Sequence, residues 1–467
     1  MLEFKKYDVE TLKTFLPYFK MENLTNCSYS LGVKFMWKDY FSSEYAISNN
    51  TLTFKEIYSN GHYSFYFPIG RNVYGMICEL KDYVLDNLTQ ELEFCCVDEK
   101  DLPELIKRFP HYETYSNRNW SDYVYLNKNF QTFSGGDYSN KRHHMKQFIK
   151  LYPETLFKLG TKEDKPRFID FLNKFSESKA IETSEAKNEF TKSFDLANHF
   201  DELGLEAFYL EYKGEIIALS ICEVINNCVY DHIEKALRSY QSVYPYFVNK
   251  IANYYKDIVY FDREDDAGDE GLRFSKEDYH PIKMASISMF YVKNNLDLLC
   301  SIPEIKINDE LSLGYLLESD KEDYFRLSTD DELNKYWGYD YHIDLKNNPL
   351  NSDYFYNMYN EDFDKKECLC FILRKNKKLI GELTLENLNN NNEADLGFRL
   401  FKDEQGKGYA YLASVSLINY LKNKLKMKGL NCKAYKENTP SISLIKKLNF
   451  VETNEDDKFI YFKLNLL

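Results

Sequence analysis

Gln405-Gly406-Lys407-Gly408-Tyr409-Ala410 (QGKGYA) is the stretch on which the fold of this chain turns. It follows an alternating run, Ala394 to Leu400. It opens a segment in which Ala410, Ala413, Leu417, Leu421 and Leu425 recur at three- and four-residue spacing, the period of an amphipathic helix. Without Cβ atoms, Gly406 and Gly408 let the backbone turn freely and approach a ligand closely. The amides of a first helical turn point into one spot, and the helix dipole favours an anion there. A pyrophosphate suits such a cradle. An isolated glycine pair would read as a plain strand-to-helix turn. The alternating strands before it and the alanine-started helix after it favour a ligand.

Outward from that stretch, Phe371 to Arg374 and Leu379 to Leu385 alternate as strands about the polar turn Lys375 to Lys378. Asn387 to Asn392 (NLNNNN) reads as a hairpin loop, and Ala394, Leu396, Phe398 and Leu400 share one strand face. Beyond the helix, Leu430, Cys432 and Ala434 alternate as a short strand, Ser441 to Leu448 has helical spacing, and Phe459 to Leu464 closes as a strand. The expected order is a three-strand meander, helix, strand, helix, strand.

Gln405-x-x-Gly408-x-Ala410 matches the Q/R-x-x-G-x-G/A acetyl-CoA signature of the GNAT N-acetyltransferase superfamily, which the chain resembles from Ile305 to Leu467. Asn438-Thr439-Pro440-Ser441 with Leu444 to Phe450 (LIKKLNF), and Ala394-Asp395-Leu396-Gly397-Phe398, resemble its ribosomal-protein N-terminal acetyltransferase branch. The resemblance implies an open groove between two splayed strands and acetyl-CoA as co-substrate. Its implied binding residues are Gln405, Gly406, Lys407, Gly408, Tyr409, Ala410 and Asn438. The implied chemistry is direct attack of an amine on the thioester, which needs a base for the ammonium and an acid for the leaving thiolate. Ile445 stands where many members carry an acid Tyr, and Asn449 replaces the usual Gly before Phe450. Ser441 is the substitute the branch suggests, although a lone Ser before a helix is more often its N-cap. Glu382 and Asp395, on the polar strand faces, are candidate proton relays or plain solvated carboxylates.

At 467 residues the chain has room for two to four domains. Its 44% hydrophobic and 29% charged residues exclude wholesale disorder. A net charge of −14 argues against a dedicated nucleic-acid coat. With 40 Tyr and 34 Phe, large cores with buried phenols are expected. The cysteines form no CxxC and no zinc-like spacing with histidine, so no cysteine-built metal site is expected. Charges from the third residue onward exclude a signal peptide. No apolar run reaches membrane-spanning length. The expected compartment is the reducing cytoplasm.

Pattern changes near 298–304 (LLCSIPE) and 130–146 (FQTFSGGDYSNKRHHMK) divide the chain into expected units at 1–135, 136–302 and 303–467. In the middle unit, Phe208 to Tyr212, Glu215 to Val224 and Cys228 to Ile233 read as strands, the last two joined at Asn226-Asn227. Val243 to Tyr255 reads as a helix and Ile258 to Asp262 as a strand. In the first unit, Tyr45 to Phe54 and Phe65 to Phe67 read as strands and Leu102 to Phe109 as a helix. The expected class is α+β, with mixed sheets flanked by helices.

Tyr260 to Pro281 (YFDREDDAGDEGLRFSKEDYHP), His232 to Ala236, Lys141 to His144 and Leu31 to Trp37 resemble a bacterial family related to the soluble C-terminal domain of phosphatidylglycerol lysyltransferases. This implies tandem GNAT-like folds and, in the lysyltransferases, aminoacyl transfer from tRNA to lipid. The charge run beside strand Ile258 to Asp262 gives a candidate site for a cationic aminoacyl group, or a metal: Glu234, Arg263, Glu264, Asp265, Arg273 and Lys276, with His280 alongside. A solvated loop of internal ion pairs explains most such runs. Asn140 to Lys150 is the strongest basic patch and a candidate for a tRNA acceptor stem. The connection Leu237 to Tyr244 has no glycine, so coenzyme A is expected only in the last unit.

The expectation is thus an acyltransferase-like fusion whose C-terminal domain acetylates an amine, either a small molecule or a protein N-terminus. The rivals are an aminoacyl-tRNA-dependent transferase in residues 1–300 and a non-catalytic ligand-sensing or scaffold protein.

Overall fold

The computed structural model describes residues 2–21, 26–58, 61–88, 90–178, 184–346 and 350–466. The chain divides into two units: Met1–Ile77, Glu93–Lys100 and Thr114–Met289 in one, and Cys78–Leu92, Asp101–Glu113 and Phe290–Leu467 in the other. Three mixed sheets flanked by helices make up the fold, as the alternating runs predict. Among the described residues no helix is long and apolar enough to cross a membrane.

In the first unit one sheet carries Glu44–Ser48, Thr51–Ile57, Tyr63–Tyr66 and Glu93–Asp98 in that order. The run read as a single strand, Tyr45 to Phe54, is a hairpin. Asn49 and Asn50 take φ of +46° and +56°, the left-handed pair that a two-residue turn requires and Asn tolerates. The second sheet runs Lys283–Ala285, Asp122–Leu126, Tyr260–Asp262, Cys228–Ala236, Glu215–Ile225, Glu206–Tyr212, Leu156–Leu159. Asp122–Leu126 therefore belongs to the second sheet, and Phe130 and Phe133 lie in that sheet's core. The change of sheet falls before Asp122 rather than near 135, because Gly135 and Gly136 form a loop within the second layer. The expected strand from Ile258 begins at Tyr260. Helices Lys165–Ser178 and Ser184–Leu203 add to the expected plan.

In the second unit an eight-stranded sheet runs Ile305–Lys306, Leu311–Gly314, Cys368–Lys375, Lys378–Asn389, Glu393–Leu400, Gly429–Tyr435, Phe459–Asn465, Val451–Glu455. The meander is antiparallel, with Glu382 opposite Arg399. Glu393–Leu400 and Gly429–Tyr435 are parallel, as a helical crossover demands. That crossover, Tyr409–Asn423, buries Ala413, Leu417 and Leu421 against the sheet. Each buried leucine contributes about 1.5–3 kcal/mol. Helices Lys321–Ser328 and Ser352–Lys365 and edge strand Val451–Glu455 are additional to the expected order.

Candidate functional site

The turn before helix Tyr409–Asn423 is open. Gly406 and Gly408 have φ of +72° and +82°, and a Cβ built on either meets nothing within 4 Å. The first α-helical bond of this turn is Leu412 N–H to Gly408 O, at 3.1 Å. Among the described residues, the N–H groups of residues 406–411 have no acceptor. Three of these amides lie in the turn and three in the first helical turn, where unbonded N–H groups are the rule. Gln405 Nε2 donates to Leu400 O at 3.0 Å and fastens the turn to the preceding strand. Lys407 pairs with Glu404 at 3.0 Å, and the Lys375 ammonium lies 4.9 Å from the Tyr409 ring centroid.

The strands beside this turn part company. Glu393–Leu400 pairs with Gly429–Tyr435 only at Glu393↔Gly429, Ala394↔Leu430 and Asp395↔Asn431. Past that point Leu396 O accepts from the Cys432 thiol at 3.2 Å. The parting leaves backbone edges available to an amide-bearing chain.

Around the splay, Asn438 caps helix Thr439–Lys447 by accepting from Ser441 N–H at 3.3 Å. The N-cap is therefore Asn438 and not Ser441, since Pro440 in the first turn shifts the helix start upstream. The half-buried Ser441 hydroxyl has no partner among the described residues. Asp395 is half-buried and accepts from Asn387 Nδ2 at 2.9 Å. Glu382 is 1% exposed, not solvated. It accepts from Arg399 Nε at 2.7 Å and from the Cys370 thiol at 2.8 Å. Arg399 in turn donates to Asn334 Oδ1 at 2.6 Å and lies under the Trp337 ring. Tyr435, at the end of its strand, packs between Tyr336 and Phe459. Ile445 is buried core.

The charge run of the first unit separates into two groups. In one, Arg263 Nε donates to Glu234 Oε2 at 3.0 Å over the Tyr279 ring, and the buried Lys276 ammonium grips the carbonyls of Arg263, Glu264 and Asp265. Glu264 also accepts from His232 Nδ1 at 2.7 Å. In the other, Arg273 pairs with Asp266 at 2.9 Å and donates to Asn119. Arg273 is thus apart from Glu234. His280 is exposed and faces Tyr138, so it does not join them either.

Sequence reading missed Asp231, buried beside Glu234 and Arg263; Asp262, the first residue of the charge run, is buried too, facing Asp122 and Glu264. Burial pushes both carboxyls up, and neighbouring carboxylates add to the shift. Asp231 Oδ2, Asp262 Oδ2, Glu234 Oε1 and Arg263 Nη1 are buried without a hydrogen-bond partner among the described residues. The basic patch is half spent within the fold: Lys141 is buried on Tyr279 and bonded to Asp278, and Arg142 donates to the carbonyls of Phe133 and Gly135, while Lys146 and Lys150 are exposed. Among the described residues no cluster suits a metal ion.

Two family models match. Residues 19–291 match the phosphatidylglycerol lysyltransferase C-terminal family, and residues 311–451 match the GNAT acetyltransferase domain. A conserved protein of unknown function from Bacteroides thetaiotaomicron superposes with a TM-score of 0.59 at 23% identity, over 63% of this chain and 100% of that one. A spermidine N-acetyltransferase from Vibrio cholerae, solved with CoA and spermine, has a TM-score of 0.30 at 19% identity, over 34% of this chain and 97% of that one. An uncharacterized protein of Mycoplasmoides gallisepticum is 24% identical over 167 residues, 34% of this chain. The chain spans about half the length of that curated relative, 53%.

Proposed function

Since this chain belongs, through residues 19–291, to the phosphatidylglycerol lysyltransferase C-terminal family and carries a GNAT acetyltransferase domain at 311–451, we propose that this acyltransferase-like fusion uses its C-terminal domain to acetylate an amine from acetyl-CoA in the cytoplasm. The observation that supports this is the set of six unaccepted amides at residues 406–411, set beside a strand pair that separates after three residue pairs. The amides of Gly406 to Tyr411 would hold the diphosphate, with the glycines leaving the space a side chain would fill. The open edges of the two strands would bond the amides of the pantetheine arm. An amine, small or at a protein N-terminus, would approach from the side of Tyr336 and Tyr435.

Proton handling falls to the less engaged groups, Asp395, which among the described residues accepts only from Asn387, and Ser441. Glu382 already holds Arg399 and Cys370 and serves as a positioning residue beneath the groove. Asp395 is the accessible carboxylate for the ammonium proton, and Ser441 is the hydroxyl available to the leaving thiolate. Calorimetry on the full chain tests the cradle. Acetyl-CoA should bind, S-acetylpantetheine, which lacks the diphosphate, should bind at least tenfold more weakly, and Gly408→Trp should abolish the difference. Equal affinity for both ligands defeats the cradle. Thiol release over a panel of amines then distinguishes transfer from ligand sensing.

A second reading, aminoacyl binding in the first unit, is favoured by three buried atoms unpartnered among the described residues, Asp231 Oδ2, Glu234 Oε1 and Arg263 Nη1. Lysine amide, a stand-in for an aminoacyl end, should bind the full chain and lose affinity in Glu234→Gln. Absence of heat with either protein removes that reading.

A further inference from the structure

Cys78 and Cys300 stand 222 residues apart in sequence, yet their sulfur atoms lie 2.7 Å apart. Cys78 lies on helix Val73–Asn87, and Lys81, three residues on, shares its face. Lys81 Nζ donates to Cys300 Sγ at 2.9 Å. Lys81 is 6% exposed, and among the described residues no carboxylate forms an ion pair with it. A buried ammonium without a carboxylate is costly, and a thiolate on Cys300 would offset that cost. A second cation stands close by: Lys366 donates to Leu299 O, one residue before Cys300, at 2.8 Å. Burial pushes Lys366 down to about 8. Asp297, whose charge acts on Lys366, is engaged by His111 at 3.0 Å. Cys300 itself is exposed and sits in a bend outside regular structure, where the backbone can adjust.

We propose that Cys78 and Cys300 form an oxidisable dithiol that a hydroperoxide converts to an intramolecular disulfide, with Cys300 as the attacking thiol and Cys78 as the resolving one. A solvent-reachable sulfur beside an ammonium, with a second thiol in contact, is the arrangement that makes cysteine oxidation fast and reversible. The Cys300 thiolate attacks the peroxide O–O bond and becomes a sulfenic acid, and the other oxygen leaves as an alcohol or water. Cys78 sulfur then attacks Cys300 sulfur, the S–O bond breaks, and the departing hydroxide takes the Cys78 proton as water. Two thiols and one hydroperoxide give one disulfide, one water and one alcohol or second water. The bond would tie helix Val73–Asn87 to the segment in which Asn294 holds Glu393 O and Asn295 holds Leu425 O. The proposal is independent of coenzyme A binding.

The test uses the full chain. Treated with one equivalent of hydrogen peroxide and digested without reductant, it should give a Cys78–Cys300 cross-linked peptide that disappears on reduction. In Cys78→Ser the sulfenic acid on Cys300 should persist and be trapped by dimedone. Alkylation of Cys300 by iodoacetamide, followed against pH by mass spectrometry, should inflect below the ordinary thiol value of about 8.5, and Lys81→Met should move it upward, slowing alkylation at pH 7 about tenfold per pH unit of displacement. The pH course on the unaltered chain keeps the test valid should Lys81→Met fold poorly. Absence of the cross-link, or an inflection at or above the ordinary value, overturns the proposal.

Discussion

Glu382 shows how far a single residue can be read. Its place on a polar strand face follows from alternation, and Arg399 is directly opposite on the neighbouring strand, a pairing that cross-strand geometry makes favourable. What alternation does not reveal is the cover that Asn334 and Trp337 place over the pair, turning a surface contact into a buried one. A buried charge that loses its partner costs far more than the pair contributes. Arg399→Met should therefore destabilise the chain by about 3–5 kcal/mol in urea titrations, whereas Glu382→Leu with Arg399→Met should recover most of that loss. A double variant no better than the single would show that Arg399 acts through Asn334 and Trp337 instead. Gly406 and Gly408 were legible for the opposite reason. Their positive φ and the open space beside them follow from the absence of a side chain, which sequence states directly.

Elements were legible where one face is buried and the other is wet. The meander, the crossover helix and the closing strand all lie within a few residues of their expected bounds. Edge strand Val451–Glu455 was not, because all five residues are exposed and nothing drives alternation. The hairpin Glu44–Ser48/Thr51–Ile57 was read as one strand although Asn49-Asn50 carries the same two-residue turn signal that was read at Asn226-Asn227. Asn50→Gly should stabilise the chain by several tenths of a kcal/mol, and Asn50→Val should destabilise it by about 1–2 kcal/mol, since valine resists positive φ. At the second turn that matters, Asn438→Ala should cost about 1 kcal/mol by uncapping helix Thr439–Lys447, and Asn438→Ser should restore it. If Asn438 also touches coenzyme A, the Ser variant will regain stability but not acetyl-CoA affinity in calorimetry.

At the scale of the whole molecule, three sheets could be counted from periodicity, but the links between distant segments could not. The first unit contains such a link in His232. Its Nε2 donates to Glu223 at 3.2 Å and its Nδ1 to Glu264 at 2.7 Å. Glu223 also accepts the N–H groups of Leu31 and Gly32 at the start of helix Leu31–Trp37. Gly32 is required there, because a Cβ would meet the imidazole at 2.4 Å. Burial alone would lower the His232 pKa, but the bonds and charges of Glu223 and Glu264 outweigh it and raise it to about 10. A proton held more tightly in the folded chain than in the unfolded one stabilises the fold. That contribution is complete below the unfolded value of 6.5 and fades as pH rises towards about 10. Unfolding free energy should therefore decline by a few kcal/mol between those limits, on the scale of about 1.4 kcal/mol per pH unit. His232→Gln should be less stable near neutrality and should flatten that slope. Gly32→Ala, by pressing on the ring, should cost about 1–3 kcal/mol. An unaltered slope in His232→Gln would mean that the three segments are joined by packing and that the imidazolium contributes no net stabilisation.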